Sequence, residues 1–397
     1  MKMNLPQVDP ITQAIESLIT QLRVLDVESV PLAQAYGRVL ADDVVADRDS
    51  PALDVSAMDG YAVRRREITD QSMQVAATTP AGSPPSTLPE NQAVQIFTGA
   101  GVPTGADCVV KREDTTESAG YVRFNIATSD IAEGQNIRRQ GENTKQGERV
   151  LAKGITLGAP EMATLASFGG PEVRLTRRLK LSVLNTGDEL AQMGAPVERW
   201  QIRDSNGPTL TALLCRHSWI DVQQRRQVDD RLDAVIASLR NALSESDAII
   251  LTGGVSMGDT DYVPEAIKRI GGEIAFHRLP LRPGRPVLGA SFEGKPIIGL
   301  PGNPVSVAVT ARVIALPILR YCAGSTEREP ILSASLSNPD TKAINLTWFR
   351  LVKATESGVD LVSSRGSGDV VSLGASNGFI RFPPGASGAG PWPLYLW

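Results

Sequence analysis

Apolar residues recur at helical spacing near the start of the chain. Ile11, Ile15, Leu18 and Leu22 fall on one stripe, with Asp9 placed to cap a helix and Pro10 suited to its first turn. A second, shorter helical reading follows around Leu32, Ala35 and Leu40. From about Asp47 to Gly147 the texture changes. Short β-like runs (Met73 to Ala77, Ala93 to Thr98, Cys108 to Lys111, Tyr121 to Ile126) alternate with turns rich in Gly and Pro, among them Pro80-Ala81-Gly82-Ser83-Pro84-Pro85. This pattern predicts a small β domain inserted between helical segments. Leu157 to Phe168 is helical again and is expected to pack back on the first helices.

Beyond Arg178, strands and helices alternate. Leu179 to Thr186, Ile220 to Gln227, Asp247 to Thr252 and Lys295 to Leu300 read as strands. Between and after them, Asn206 to Arg216, Arg231 to Leu243, Tyr262 to Ile270 and Val305 to Tyr321 read as helices. Such alternation predicts a parallel, doubly wound α/β sheet, whose ligands bind at the carboxyl ends of the strands. Pro330 to Trp397 returns to short strands and turns, a small C-terminal β domain. No internal repeat is visible.

Composition narrows the function classes. A chain of 397 residues suggests two to four domains, and 42% hydrophobic with 21% charged residues is a globular profile. The net charge of −4 argues against general nucleic-acid binding, while leaving room for a local anion pocket. The best apolar stretch, Ala308 to Leu319, is interrupted by Arg312 and Pro317, so no membrane span is expected. Met-Lys-Met-Asn-Leu-Pro-Gln at the start has no signal core, so export is not expected either. Cys108, Cys215 and Cys322 are too widely spaced for a zinc site or a disulfide framework, which fits a reducing cytoplasm. With only His217 and His277, hydrolytic chemistry must rest on carboxylates, a metal or backbone dipoles.

Three polar, glycine-rich loops follow predicted strands: Asn185 to Leu190, Thr252 to Asp261, and Leu300 to Ser306. In a doubly wound sheet they share one edge and make a single site. Glycines let the backbone approach a ligand, and freed N–H groups at helix N-termini favour phosphate. Glu189, Asp259 and Asp261 could hold a divalent metal through oxygen ligands. The plain alternative is that these residues serve only as turns and caps. Gly254-Val255-Ser256-Met257-Gly258 also satisfies G-x-S-x-G, but the one later histidine, His277, lies too close to return from a separate strand loop. No Walker A sequence is present. Arg278, Arg282 and Arg285 form a basic cluster, the last two inside Leu281-Arg282-Pro283-Gly284-Arg285-Pro286, where the turn fixes guanidinium forks that suit tetrahedral oxyanions. A solvated surface turn is the alternative.

At these residues the chain closely resembles the molybdopterin molybdenumtransferases, the bacterial counterparts of the E domain of gephyrin. The likeness covers nearly the whole chain. Its most specific pieces are Ser56 to Val63, Phe97 to Ala100 running into Pro103 to Val110, Asn185 to Leu190, Asp204-Ser205-Asn206, Thr252 to Asp261, Arg282 to Pro286, and Gly299 to Ser306. The resemblance implies an elongated helical domain from residues 1–46 with 147–177, an inserted β domain at 47–146, a molybdopterin-binding α/β domain at 178–326, and a C-terminal β barrel at 327–397. It implies insertion of molybdate into adenylylated molybdopterin, with cleavage of the phosphoanhydride and release of AMP. Magnesium is the implied metal, held by Glu189 and Asp261.

The same resemblance assigns catalysis to Asp59, Glu189, Asp229 and Asp261. Substrate binding falls to Thr98, Thr186, Gly187, Asp188, Ser205, Asn206, Gly253, Gly254, Ser256, Asp259, Pro301, Gly302, Asn303 and Pro304. Molybdate binding falls to Arg278, Arg282, Arg285, Arg350 and Ser372. It further implies a homodimer whose cleft is shared between subunits, with molybdopterin adenylyltransferase as a partner. Some positions depart from the family pattern: arginines stand at 278, 282 and 285 where lysine is usual, Asn143 replaces a carboxylate, and Val55 replaces Asn. The ending from Gly385 to Trp397 matches nothing familiar. Two other readings share this α/β domain, an adenylyltransferase and a non-catalytic scaffold. The Asp59 and Thr98 motifs disfavour the first, and the retained carboxylates disfavour the second.

Overall fold

Seven of the eight residues of the strand Leu179–Thr186 are buried, as a strand with neighbours on both edges and helices on both faces requires. The structure, a computed structural model, describes residues 9–191, 194–256, 258, 261–330, 332–356 and 358–397. These form two units: the described residues within 9–42, 153–162 and 172–397, and residues 43–152 with 163–171.

The main sheet of the first unit runs in the order Ile220–Val228, Leu179–Thr186, Ala248–Thr252, Lys295–Leu300, Leu288–Phe292, Glu273–His277. The first four strands are parallel, as predicted. The last two pair antiparallel, so the sheet is mixed rather than all-parallel. The reason is local. Glu293 and Gly294 both have positive φ (49° and 79°), the backbone of a two-residue hairpin, which turns the chain straight back instead of crossing over.

Helices cover both faces. On one side Leu181, Val183, Ile250 and Ile298 pack with Leu210, Leu214, Val309 and Leu319; on the other, Leu184, Ile249 and Leu251 pack with Leu239, Ala266 and Ile267. The helix Pro10–Ile19 forms as predicted, with the Asp9 carboxylate accepting from the Thr12 N–H at 3.2 Å. Ile11, Ala14 and Leu18 join Phe276 and Leu279 in the α/β core. Leu18 lies over Gly289 of the antiparallel hairpin, covering a face that no crossover helix covers. The helical domain expected from residues 1–46 and 147–177 is thus mostly extended chain. Val27–Pro31 pairs with Glu172–Thr176 and Val44–Val45 with Arg149–Leu151, while the reading around Leu32 to Leu40 shrinks to one 3-10 turn, Leu32–Gln34. Gly37, with φ of 72°, ends that turn before a helix can propagate.

The final helix of the α/β region runs from Pro304 to Cys322, with a π segment at Ala311–Ala315. At 19 residues it is long and apolar enough to cross a membrane, longer than the interrupted stretch seen in the sequence, but 78% of its most apolar 18-residue stretch is buried in the fold. A core helix accounts for its composition. Pro317, which has no N–H to donate, stands beyond the widened π turn with one residue, Leu316, between.

A second six-stranded sheet of this unit orders Leu281–Arg282, Thr347–Thr355, Gly378–Phe382, Trp392–Leu396 and Leu332–Ala334, with Gly358–Leu361 branching from Thr347–Thr355. A single bridge, Leu336 to Val359, draws its far edges together. The unfamiliar ending supplies an interior strand here, where Tyr395 stacks on Phe379 at 5.0 Å and the Trp397 indole donates to Ser376 Oγ at 2.8 Å. One strand, Leu281–Arg282, comes from the α/β region and pairs in parallel with Thr347 and Trp348.

The second unit holds a six-stranded sheet, Cys108–Lys111, Gly60–Val63, Gln92–Ile96, Met73–Thr79, Tyr121–Phe124, Thr115–Ser118, around Tyr61, Val63, Ala93, Cys108, Val110 and Val122. Four of the six strands were expected. Gly60–Val63 was not, because it is buried on both faces and shows no alternation.

Candidate functional site

The three glycine-rich loops of the α/β sheet meet, as their positions at strand ends require. Thr252 Oγ1 donates to Asn185 Oδ1 at 3.0 Å, and Asn185 Nδ2 donates to Asp204 Oδ2 at 2.7 Å. The other oxygen of Asp204 takes the N–H of Gly207 in the first turn of the Asn206–Leu214 helix, at 2.9 Å. Asn206 Nδ2 then reaches the Gly302 carbonyl at 2.7 Å, and the Gly253 N–H reaches the Leu300 carbonyl at 3.1 Å. Gly253 has φ of +84°, and a methyl group on it would lie 2.7 Å from the Thr186 carbonyl oxygen, so nothing larger fits. Asn206 Oδ1 is buried without a partner. Ser205 caps this helix with its backbone alone, and Ser256 and Gly254 follow Gly253 along the second loop. Asp259 lies outside the described residues.

The acids of this edge are less tightly gathered than the sequence suggested. Glu189 folds back over buried Gly187, where an added methyl group would sit 2.7 Å from its Oε1. Asp188 Oδ1 accepts the N–H of Asp230 at 3.0 Å, while Asp229 makes a backbone bond to Arg231. Asp230 is an acid of this edge that the sequence reading missed. Burial, and then the charges of Asp188 and Glu189, push its carboxyl above the usual carboxylate range. The signal was present as two adjacent acids at a strand end, of which the resemblance picked only the first. Asp261 Oδ2 accepts from the Gly258 N–H at 2.6 Å. Among the described residues no three His, Cys, Asp or Glu side chains come together as a metal cage. His277, read from sequence only as an unsuitable triad member, donates Nε2–H to the Val255 carbonyl at 2.7 Å and so braces the second loop.

Beside the third loop opens a cleft of about 800 Å³, lined by Pro301 and Asn303 of that loop and by Arg282, Arg285 and Arg350. Gly284, between the two arginines of the turn, has φ of +103°, and a methyl group there would lie 2.4 Å from Thr310 Cγ2. The turn is therefore clamped onto the long helix. Trp348, Lys342, Arg365 and Asp340, none singled out from sequence, also line it. The Arg350 guanidinium lies 4.6 Å from the Trp348 ring centre, Lys342 Nζ 5.8 Å and Arg282 5.9 Å. Two members of the expected oxyanion set lie elsewhere. Arg278 is not among the lining residues, and Ser372 is buried, its hydroxyl donating to Ser364 Oγ at 3.0 Å and to the Asp369 carbonyl at 2.8 Å. Asn303 Nδ2 donates to Ser367 Oγ at 2.9 Å, tying loop and cleft wall together. Pro304 opens the long helix.

In the second unit, Asp59 Oδ1 accepts from both the N–H and the hydroxyl of Thr98, each at 2.7 Å. The Thr98 N–H, then its hydroxyl, hold the Asp59 carboxyl below its ordinary range. The sequence named both residues without showing that they touch.

Comparison with known proteins bears directly on this arrangement. Residues 9–169 match the family model described as the MoeA N-terminal region (domain I and II), and residues 182–321 match the probable molybdopterin binding domain. A molybdopterin molybdenumtransferase of Staphylococcus aureus is 34% identical over 96% of this chain and 92% of its own length, and one of Staphylococcus epidermidis is 35% identical over 95% and 92%. This chain belongs to the molybdopterin molybdenumtransferase family. A crystal structure of a molybdopterin biosynthesis moeA protein from Pyrococcus horikoshii superimposes with a TM-score of 0.82 at 26% identity, covering 98% of this chain and 100% of that one. As a molybdopterin molybdenumtransferase, the chain is an enzyme of molybdenum-cofactor biosynthesis. Its α/β unit carries the three joined loops inside the matched molybdopterin binding domain.

Proposed function

We propose that the enzyme takes adenylylated molybdopterin and molybdate, cleaves the phosphoanhydride to release AMP, and leaves molybdenum on the pterin dithiolene. One observation carries this reading: the third loop, Pro301 to Pro304, belongs both to the joined phosphate-binding edge and to the wall of the arginine cleft. A pyrophosphate on the loop N–H groups and a tetrahedral dianion among Arg282, Arg285 and Arg350 are then neighbours. Thr186, Gly187, Asp188, Ser205, Asn206, Gly253, Gly254, Ser256 and Gly302 hold the pterin and its pyrophosphate. Positioning and fixed charge lower the barrier without a covalent enzyme intermediate. Arg278 and Ser372 support the oxyanion site from outside its lining.

A hard cation suits the donors present. Magnesium takes one or two carboxylates and completes its shell with water and substrate phosphate, so a three-acid cage is not required. Glu189 and Asp261 would hold it, and when bound it would neutralise charge on the pyrophosphate. Asp229, at the end of the neighbouring strand Ile220–Val228, is a further acid of the reaction. The protein works as a homodimer, with Asp59 and Thr98 serving the reaction from the other subunit. It lies in the cytoplasm, in keeping with three free thiols, and receives its substrate from the molybdopterin adenylyltransferase.

The test is AMP release from adenylylated molybdopterin. Glu189→Gln and Asp261→Asn should slow it by at least tenfold while the pterin still binds, because charge-assisted contacts are worth about 1.5–3 kcal/mol. Wild-type release from both variants would remove these carboxylates from the reaction, and no release by the unaltered enzyme would favour a scaffold role.

A further inference from the structure

The arginine cleft contains one carboxylate among five cations. Arg282, Arg285, Lys342, Arg350 and Arg365 line it, and Asp340 is the acid that faces them. Asp340 forms an ion pair with Arg350, whose side chain is 20% exposed against 41% for the aspartate. Asp340 Oδ1 also accepts the Lys342 N–H at 3.1 Å. The carboxylate thus takes one guanidinium N–H and one backbone N–H, the two kinds of donor that a bound oxyanion takes. We propose that Asp340 is a built-in occupant of the oxyanion seat, which molybdate must displace from Arg350, and that it thereby sets the molybdate concentration the enzyme needs. This inference rests on the reading of the cleft as the oxyanion site.

Displacement requires only a side-chain rotation. The backbone around Asp340 is anchored: its carbonyl accepts the Gly388 N–H at 3.2 Å, the Ile344 carbonyl accepts the Gly385 N–H at 2.8 Å, and the Asn338 side chain bonds Leu361 on both sides. Arg350 is fixed too, its guanidinium laid against the Trp348 ring. The partner able to leave is the half-exposed carboxylate, which regains water when it swings out. A dianion meets each surrounding cation with twice the Coulomb attraction of a carboxylate, so it wins the exchange once its concentration suffices. Occupation by Asp340 also keeps a strongly cationic cleft from holding weaker anions.

Molybdate titrated calorimetrically into the purified protein tests this, with Asp340→Asn, Arg350→Ala and the double variant in parallel. Asp340→Asn should bind molybdate about tenfold more tightly than wild type, the size of one charge-assisted contact. In the Arg350→Ala background the same change should bring no gain, since the two residues act through one contact. Asp340→Ser serves as a second probe if the asparagine variant melts lower than wild type. Unchanged or weaker binding in the Asp340 variants, with wild type binding normally, would overturn the proposal and make Asp340 an orienting residue for Arg350. A gain that persists without Arg350 would also overturn it, showing general charge removal instead. Absence of molybdate binding by wild type would sink the reading of the cleft itself.

Discussion

His217 shows how much a single residue's surroundings can decide. Burial, followed by the charge of Arg320 and with Arg312 and Arg216 adding, pushes its imidazole down to about 4, against which Glu329 pulls only in part. The folded protein therefore keeps His217 neutral over a range where the unfolded chain protonates it. Between about pH 6.5 and 4 the unfolded state binds the extra proton, so stability falls as the pH falls through that window. His217→Gln should lose less in melting temperature between pH 7.5 and 5 than wild type does. An equal loss in both would mean that other groups carry the acid sensitivity. The cleft teaches a related point about legibility. Arg282 and Arg285 stood out because a Pro-Gly turn frames them, and Arg350 because the family resemblance pointed there. Trp348, Lys342 and Asp340 could not be found that way, since they come from the Thr347–Thr355 strand and the loop before it, and only pairing with Leu281–Arg282 sets them beside the turn.

At the scale of elements, runs with a strong and uninterrupted apolar pattern were read to within a residue or two. Leu179–Thr186 and Lys295–Leu300 formed with the limits expected, because burial on both faces leaves little choice of residue. Glu273–His277 escaped notice as a partly exposed edge strand, and Leu288–Phe292 because a hairpin, not a helix, joins it onward. The loops were legible as loops, but their mutual hydrogen bonds depend on sheet order, which spacing alone does not give. Gly253 carries the sharpest consequence. Gly253→Ala must leave a backbone conformation that side chains rarely adopt and must also relieve the contact with the Thr186 carbonyl, so the three loops can no longer close on one another. Affinity for adenylylated molybdopterin should fall by at least tenfold, a cost of about 1.4 kcal/mol, with the fold intact by circular dichroism. Wild-type affinity would show that the loops bind the pterin without meeting.

For the whole molecule, the proposed division of the reaction between subunits makes a direct forecast. Asp59→Asn and Glu189→Gln should each abolish most AMP release alone. Mixed under conditions that exchange subunits, they should recover up to about a quarter of wild-type activity, because half the dimers are then mixed and one of their two sites carries neither lesion. Demonstrated exchange with no recovery would place each complete site within one subunit. The strand Leu281–Arg282 has a consequence of another kind. It lies in the chain between two strands of the α/β sheet, Glu273–His277 and Leu288–Phe292, yet its ladder lies with Thr347 and Trp348. Two arginines are thereby spaced from Arg350 by backbone hydrogen bonds rather than by the intervening sixty-odd residues of chain. Segments 281–286 and 347–350 are in effect one heritable cassette. A chimera that swaps the C-terminal region of two relatives at residue 327 would splice through that cassette, and should keep a foldable α/β core while mismatching the cleft.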